Sequence, residues 1–214
     1  MKKNVLFVLI IKFFLVQNIY AQKLDTDSLT QQKLSTIIQF LNLSPTDKIA
    51  DVGTSSGYSL IPIANKYPDI IFTVEDIDSG SLNRKKLIKQ IKKFGNIAKI
   101  EHFNIIYGTE ASTNLPTATF NKVLLFDVVH EFSDRNTMLQ DVKRILSKNG
   151  SVFIEEILVH KPIKKDRICN YPFFTEDAFK ALMMENNFKL VKEKVTFDTG
   201  NNRYIKIFEY TLTQ

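Results

Sequence analysis

The sequence of 214 residues has a single cysteine, Cys169. One cysteine excludes an intramolecular disulfide and a cysteine-based metal cluster. No His, Cys, Asp or Glu residues occur at the spacings of known metal-ligand motifs, so the sequence predicts no metal site. Low-complexity tracts and internal repeats are not evident either. The remaining composition, 44% hydrophobic and 24% charged residues, indicates one globular domain of ordinary size.

The N-terminal hydrophobic stretch is too short for a typical membrane span. It runs from Val5 to Val16, is interrupted by Lys12, follows a basic start and precedes Ala21. A membrane-spanning helix needs about 20 apolar residues. The pattern therefore predicts a signal peptide over residues 1–21 and a domain over 22–214 that is exported to the periplasm or the exterior. The alternative is an uncleaved N-terminal anchor, which would be the protein's membrane contact and would leave the domain facing outward.

The positive charge is modest once this segment is set aside. The net charge is +6, but three lysines and no acids lie in residues 1–21, which leaves +3 for the rest. The remaining lysines are spread along the chain, and no basic surface pattern with interleaved aromatic residues is visible. We therefore expect a solvated surface and no nucleic-acid partner.

Strand and helix patterns alternate along most of the chain. After a helix over 27–41, strands are predicted at 48–52, 70–75, 97–103, 121–127 and 151–158, and helices at 57–66, 79–94, 134–150 and 175–187. The last two strands, 189–197 and 203–212, are separated only by "DTGNN" and should pair antiparallel. This order predicts an α/β, Rossmann-like, doubly wound and mostly parallel seven-stranded sheet with an antiparallel C-terminal strand and helices on both faces.

The carboxyl ends of the predicted strands carry the polar segments. Ligands of doubly wound sheets bind at these ends, near the point where the strand order reverses. Four segments are therefore expected around one crevice: residues 51–57, 75–78, 107–110 and 126–131.

The loop "DVGTSSG" resembles some glycine-rich motifs and not others. A dinucleotide fingerprint G-x-G-x-x-G fails at two of three positions, and no P-loop follows the strand. The template acid-x-G-x-G-x-G fits Asp51, Gly53 and Gly57 and departs only at Ser55. Asp76 follows Gly57 by nineteen residues, and a carboxylate there can accept both hydroxyls of a ribose and repel a 2′-phosphate. The alternative is a tight turn whose acids cap the next helix.

These motifs resemble those of class I S-adenosylmethionine-dependent methyltransferases over about residues 30–212. "IADVGTSSGYSLIPIANKYPDIIFTVEDID" is similar to the family's first motif and the following acid. "YGTEASTNLPTATFNKVLLFDVVHEFSDRNTMLQDVKRILSKNGSVFIEE" is similar to its later motifs in their usual order. "YPFFTEDAFKALMMENNFKLVKE" resembles its penultimate helix and strand.

The resemblance implies that S-adenosylmethionine is the methyl donor. Asp51 would orient the loop and the methionine ammonium group, Asp76 would bind the ribose, and Ile77 would lie beside the adenine. Thr109 occupies the position of an aspartate that contacts the adenine amino group in the family. The full implied donor-binding set is Asp51, Gly53, Ser55, Gly57, Asp76, Ile77, Thr109, Glu110, Phe126 and Asp127.

Methyl transfer from a sulfonium needs alignment first, and a general base only for a protonated acceptor. "DVVHEFSD" offers Asp127, His130 and Glu131 as the nearest candidates, although His130 also fits a structural turn. "CNYPFF" (169–174) would either line a pocket for a small-molecule acceptor or pack the last helix on the sheet. Two functions stay open: an active methyltransferase with a small-molecule acceptor, or an exported, non-catalytic or degenerate member that binds an adenosyl ligand.

Ser55 bears on that choice through its backbone conformation. With a negative φ the serine fits the loop and can donate a hydrogen bond to the ligand. With a positive φ it costs about 1 kcal/mol or more and favours a weakened binder.

Overall fold

The computed structural model describes residues 30–163 and 171–213. The predicted signal peptide lies outside these residues and stays a prediction. Cys169 also lies outside them. Within the described ranges the elements, in chain order, are α1 (30–41), β1 Ile49–Val52, α2 Leu60–Ala64, β2 Phe72–Asp76, α3 Arg84–Lys93, β3 Phe103–Tyr107, β4 Phe120–Phe126, α4 Arg135–Ile145, β5 Leu146–Val159, α5 Glu176–Glu185, β6 Phe188–Asp198 and β7 Arg203–Leu212. None of the helices in the described ranges is both long and apolar enough to cross a membrane.

The seven strands form one sheet in the order β3-β2-β1-β4-β5-β7-β6. The first five strands pair in parallel, whereas β7 is antiparallel to both β5 and β6. The predicted doubly wound sheet with an antiparallel C-terminal end is therefore confirmed. Because β1 pairs with β2 on one side and β4 on the other, the order reverses between β1 and β4, which is where a ligand crevice is expected.

Burial of the central strands explains their uninterrupted apolar sequences. All four residues of β1 are buried, and so are the last four of β4, because helices cover a parallel sheet on both faces. Edge strand β6 is mostly exposed and carries several lysines, which discourage pairing with another chain. Parallel pairing of β1 with β2 and with β4 places the carboxyl ends of these three strands side by side.

Several predicted boundaries are wrong, most clearly those of the third strand and of α4, and the helix predicted over 57–66 covers only Leu60–Ala64. The third strand begins at Phe103 rather than residue 97, because the backbone N–H of Ala98 donates to Asn65 Oδ1 and a 3₁₀ turn occupies Ile100–His102. Helix α4 ends at Ile145 rather than at residue 150. Its last carbonyls accept hydrogen bonds from the backbone of Ala118 and Thr119, so β5 already starts at Leu146.

Helix ends follow the capping residues that the sequence offers. Asp134 accepts from the backbone N–H of Thr137 at the start of α4. Thr175 accepts from the backbone N–H of Ala178 at the start of α5, where a threonine cap was predicted. Asn83 likewise caps α3, which shortens that helix relative to the predicted 79–94.

Candidate active site

The glycine loop after β1 has a left-handed backbone at three alternate residues. The φ angles are +73° at Gly53, +50° at Ser55 and +81° at Gly57. The loop is fixed to β2 because the backbone N–H of Thr54 donates to the Glu75 carbonyl over 2.9 Å. Glycine adopts this conformation freely, whereas serine does so at a cost. The loop thus keeps the geometry of a three-glycine turn although its middle residue is a serine.

Gly53 also lies very close to the segment that follows β4. A Cβ atom at Gly53 would overlap Val128 Cγ2 and lie 3.0 Å from Val128 Cβ. The absence of a side chain at Gly53 therefore allows the loop and the end of β4 to approach each other. This close approach forms one wall of the crevice at the switch point.

The carboxylate of Asp76 is held by two backbone N–H groups. Ser55 N donates to Oδ2 and Asp78 N donates to Oδ1, each over 2.8 Å. A carboxylate offers about four acceptor positions, so Asp76 can still accept further hydrogen bonds. The two loops at the ends of β1 and β2 are thus joined through the residue predicted to bind the ribose.

A cavity of about 550 Å³ lies at the carboxyl ends of β1, β2 and β4. All ten predicted donor-binding residues fall within the described ranges, and eight of them line this cavity: Asp51, Gly53, Ser55, Asp76, Ile77, Glu110, Phe126 and Asp127. Gly57 and Thr109 are not among the lining residues. The volume is within the usual range for small-molecule and cofactor sites.

Thr109 and Glu110 point in different directions. Thr109 Oγ1 accepts from the backbone N–H groups of Ala111 and Ser112, so its side chain closes its own turn. Glu110 lines the cavity, and its Oε2 accepts from Ser133 Oγ over 3.2 Å. Of this pair, Glu110 is the one placed to meet a ligand.

Ser55→Gly tests the strain in the loop. Glycine removes the steric cost of φ +50°, partly offset by the greater freedom that glycine gives the unfolded chain. We expect the free energy of unfolding to rise by about 0.5–1 kcal/mol and donor affinity to stay equal or rise. Urea unfolding and titration calorimetry measure the two quantities. A loss of donor affinity would instead mean that the serine hydroxyl contacts the ligand.

Two buried carboxyl groups lie beneath the loop. The pKa of Asp51 is raised to about 7, mainly by burial and in smaller part by the nearby charge of Asp76, against a hydrogen bond with Thr54 that lowers it. Burial likewise raises the pKa of Glu75 to about 8, with the Asp76 charge adding to the effect. Glu75 is 2% exposed, lines the cavity, and its Oε1 makes no hydrogen bond within the described residues. The site therefore holds more protons near neutral pH than carboxyl groups with ordinary pKa values would.

Glu75→Gln tests this protonation. The folded-state pKa values, about 8 for Glu75 and about 7 for Asp51, lie above the ordinary values of 4.5 and 3.8 for these side chains. The folded chain therefore binds more protons than the unfolded chain at pH values between the two. The stabilisation that the protonated carboxyl groups of Glu75 and Asp51 contribute is full at low pH and is lost as the pH rises toward 8. Wild-type unfolding free energy should fall across this window, by up to about 1.4 kcal/mol per pH unit per group.

The Glu75→Gln protein should show a shallower fall, because glutamine does not titrate. Urea unfolding at a series of pH values measures the slopes, and Glu101→Gln, at an exposed position, serves as the matched control. Equal slopes for wild type and Glu75→Gln would contradict the buried protonated carboxyl.

His130 is deeply buried and does not line the cavity. It is 2% exposed, lies in the 3₁₀ turn Val129–Glu131, and its Nδ1 is 3.0 Å from Glu156 Oε2. Its Nε2 is 3.8 Å from Glu131 Oε1, and Glu131 does line the cavity. Burial raises the pKa of Glu131, and the charges of Asp127 and Asp76 raise it further. Asp127 and Glu131, on either side of His130 in the sequence, line the cavity, whereas His130 does not.

Glu156 is the residue of this cluster that sequence reasoning missed. It lies in β5, is fully buried, and accepts from the backbone N–H of Val129 as well as contacting His130. Burial raises its pKa, opposed by His130. A carboxylate inside a buried strand needs a partner, so "FIEEIL" contained a signal that a polar contact must occur there.

The aromatic residues of 171–174 have different environments, and a role of this segment in holding an acceptor stays a prediction. Tyr171 lines the cavity and is 41% exposed. Phe173 is buried edge-on against the His130 ring at 5.0 Å, and Phe174 packs on Phe179 of α5 at 5.5 Å. The segment therefore contributes one ring to the cavity and two to packing.

A family model described as the O-methyltransferase domain matches residues 15–184. This match spans well over half of the chain. The chain belongs to this family. The resemblance to class I methyltransferases that the motifs indicate is thereby confirmed, and the matched segment includes every donor-binding residue predicted above. A search of curated proteins found no match to this chain.

Solved methyltransferase structures share the fold. A SAM-dependent methyltransferase from Aquifex aeolicus is 16% identical, with a TM-score of 0.64 over 84% of this chain and 89% of that one. The 1,6-didemethyltoxoflavin-N1-methyltransferase of Burkholderia thailandensis, solved with S-adenosylhomocysteine, is 14% identical, with a TM-score of 0.66 over 87% and 79%. The geranyl diphosphate C-methyltransferase of Streptomyces coelicolor A3(2) is 10% identical, with a TM-score of 0.64 over 84% and 79%. At such identities the likeness concerns the fold. Together with the family match, these comparisons support S-adenosylmethionine as the methyl donor.

Proposed function

We propose that this O-methyltransferase family member transfers the methyl group of S-adenosylmethionine to a small-molecule acceptor held in the same cavity. The observation that carries the proposal is a cavity of about 550 Å³ whose lining includes both the glycine loop with Asp76 and the residues Glu131 and Tyr171. A site of this kind can place a donor and an acceptor next to each other.

The residues present fit the donor. The loop approaches so closely at Gly53 that a side chain would overlap Val128, and Asp76 is fixed by two backbone hydrogen bonds. Asp51 and Asp127 supply acidic groups for the methionine ammonium, and Ile77, 53% exposed, offers an apolar surface for the adenine. Bound S-adenosylmethionine supplies a methyl group already activated on a sulfonium.

The chain's own contribution is then mainly to hold the reactants in line and exclude water. Five further residues line the cavity and are proposed to form the acceptor side: Glu131, Phe132, Ser133, Met138 and Tyr171. The mixture of rings, a thioether and a hydroxyl suits a small organic molecule with at least one polar group.

Proton removal is proposed to involve Glu131, since it lines the cavity and burial raises its pKa above the ordinary value, which makes it a stronger base than an exposed carboxylate. The roles of His130 and Asp127 as proton acceptors stay predictions. His130 Nε2 is 3.8 Å from Glu131 Oε1, and Asp127 lines the same cavity as Glu131.

Titration calorimetry of the full-length chain with S-adenosylmethionine tests the donor half of the proposal. We expect roughly micromolar affinity. A folded protein that releases no heat would contradict both the enzyme and the adenosyl-binding alternative. Transfer of a labelled methyl group to a panel of phenols, catechols and amines tests the acceptor half, and donor binding without transfer to any of them would favour the non-catalytic alternative.

A further inference from the structure

Helix α4 carries an acidic residue that holds the loop between β3 and β4. Asp141 Oδ2 accepts from the backbone N–H of Thr113 over 2.8 Å and from Thr113 Oγ1 over 2.6 Å. Asp141 Oδ1 accepts from Ser112 Oγ over 3.3 Å. Asp141 is 9% and Thr113 0% exposed, so the anchor is buried. We propose that Asp141 is a positioning residue for S-adenosylmethionine binding that acts through Glu110 of this loop; the proposal rests on donor binding in the cavity described above.

Arg144 strengthens the anchor from the next turn of α4. Its Nε donates to Asp141 Oδ1 over 2.8 Å. Its Nη1 donates to the Leu115 carbonyl over 2.8 Å and to Thr117 Oγ1 over 3.0 Å. Burial acts to raise the pKa of Asp141, but hydrogen bonds from Arg144 and Thr113 hold that pKa below its ordinary value. Asp141 is therefore charged at neutral pH, and charge-assisted hydrogen bonds are stronger than neutral ones.

The anchored loop presents Glu110 to the cavity. Its tip is a turn over residues 109–112, in which the backbone N–H of Thr109 donates to the Ser112 carbonyl over 2.7 Å. Glu110 lies within this turn and lines the cavity, whereas Thr113 and Asp141 are not among the lining residues. Because Thr113 follows the turn directly, an anchor at Thr113 fixes the backbone that carries Glu110.

The place of this turn in the sheet indicates which part of the donor Glu110 meets. β3 pairs in parallel with β2, with Tyr107 beside Asp76, and lies on the side of β2 away from β1. The glycine loop after β1 is predicted to hold the methionine moiety and Asp76 the ribose, so the adenine extends toward β3. A carboxylate only accepts hydrogen bonds, so Glu110 can accept from the 6-amino group of adenine.

The buried anchor controls the position of Glu110 more strongly than the contact of its own side chain does. Glu110 Oε2 accepts from Ser133 Oγ over 3.2 Å, and both side chains are exposed. The hydrogen bonds to Asp141 are shorter at Thr113 and lie in a buried environment of lower dielectric constant, where they are stronger. Loss of the anchor should therefore change the distance between Glu110 and the adenine.

Calorimetry of the full-length chain with two ligands tests the proposal. The ligands are S-adenosylhomocysteine and its analogue in which a hydrogen atom replaces the 6-amino group. Wild type should bind the amino ligand at least about tenfold more tightly. Asp141→Asn removes one of the two acceptor oxygens and should weaken binding of the amino ligand by about fivefold, and of the analogue less. Glu110→Ala should abolish the preference, and adding Asp141→Asn should then change it no further, as a double-mutant cycle measures.

Thr113 offers a matched pair of variants at a buried position that does not line the cavity. Thr113→Ser keeps the hydroxyl that donates to Asp141 and should keep the preference for the amino ligand. Thr113→Val keeps the volume but loses the hydroxyl, so it should reduce the preference as Asp141→Asn does. Val142→Ala, a core change on the same helix, should lower stability in urea unfolding and leave the preference unchanged.

Circular dichroism identifies a variant that does not fold, and Thr113→Val decides if Asp141→Asn is one. An unchanged preference in the folded variants would overturn the proposal. An equal loss for both ligands would overturn it too, since the anchor would then not act through Glu110, and so would a wild type that binds both ligands equally. A wild type that binds neither ligand would contradict donor binding itself, and the proposal with it. This last outcome is distinguishable from the others, because each of them requires a bound ligand.

Discussion

Asp76→Ala is expected to weaken S-adenosylmethionine binding by at least about tenfold while the sheet remains folded. Two losses combine. The ribose would lose its carboxylate partner, and the backbone N–H of Ser55 would lose the acceptor that now lies 2.8 Å away. Ser55 has a φ of +50°, so the loop would also lose a contact that keeps its strained residue in place.

Calorimetry of three variants separates these losses. Asp76→Asn keeps one carbonyl oxygen for the Ser55 N–H, so it should fall between wild type and Asp76→Ala. Asp78→Ala is the matched control, because Asp78 lies on the same rim but its carboxylate binds Gly80 N and Ser81 Oγ within its own turn. Wild-type affinity in Asp76→Ala would exclude this carboxylate from donor binding.

The sequence was sufficient to predict the sheet and the part of the cavity lining formed by the glycine loop and the end of β2, because both depend on local patterns. Apolar strands, a glycine turn and the acid ending β2 are contiguous signals, and parallel pairing places strand ends together. Hydrogen bonds from distant loops could not be predicted in this way. The contacts of Ala118 and Thr119 with the end of α4 shorten that helix, although its own sequence continues in a helical pattern to residue 150.

The buried contact between Glu156 and His130 could not be predicted for a related reason. Glu156 meets His130 only because β4 and β5 pair in a register that sets Phe126 beside Glu155. A shift of one residue would turn Glu156 to the opposite face of the sheet. The φ of Ser55 was likewise open, because the loop conformation depends on its tie to Asp76 on the next strand. That φ is positive, which is the outcome that favours weaker donor binding.

Gly53→Ala is expected to cause the largest loss of stability among single changes in the loop. An alanine at φ +73° costs about 1–2 kcal/mol, and overlap of its Cβ with Val128 costs about 1–3 kcal/mol more. The total of about 2–5 kcal/mol should appear in urea unfolding. Relief of the overlap would push the loop away from the end of β4, so S-adenosylmethionine binding should be lost as well.

Gly95→Ala provides the matched control for this change. Gly95 has a φ of +95°, but nothing lies within 4 Å of the Cβ that alanine would add, so this variant reports the backbone cost alone. The difference between the two variants is the cost of the Val128 overlap. Val128→Ala in the Gly53→Ala background removes the overlapping Cγ2 and should recover part of the loss, as a double-mutant cycle measures. Equal losses at Gly53 and Gly95, with no recovery in the double variant, would show that the loop and the end of β4 are not in close contact in solution.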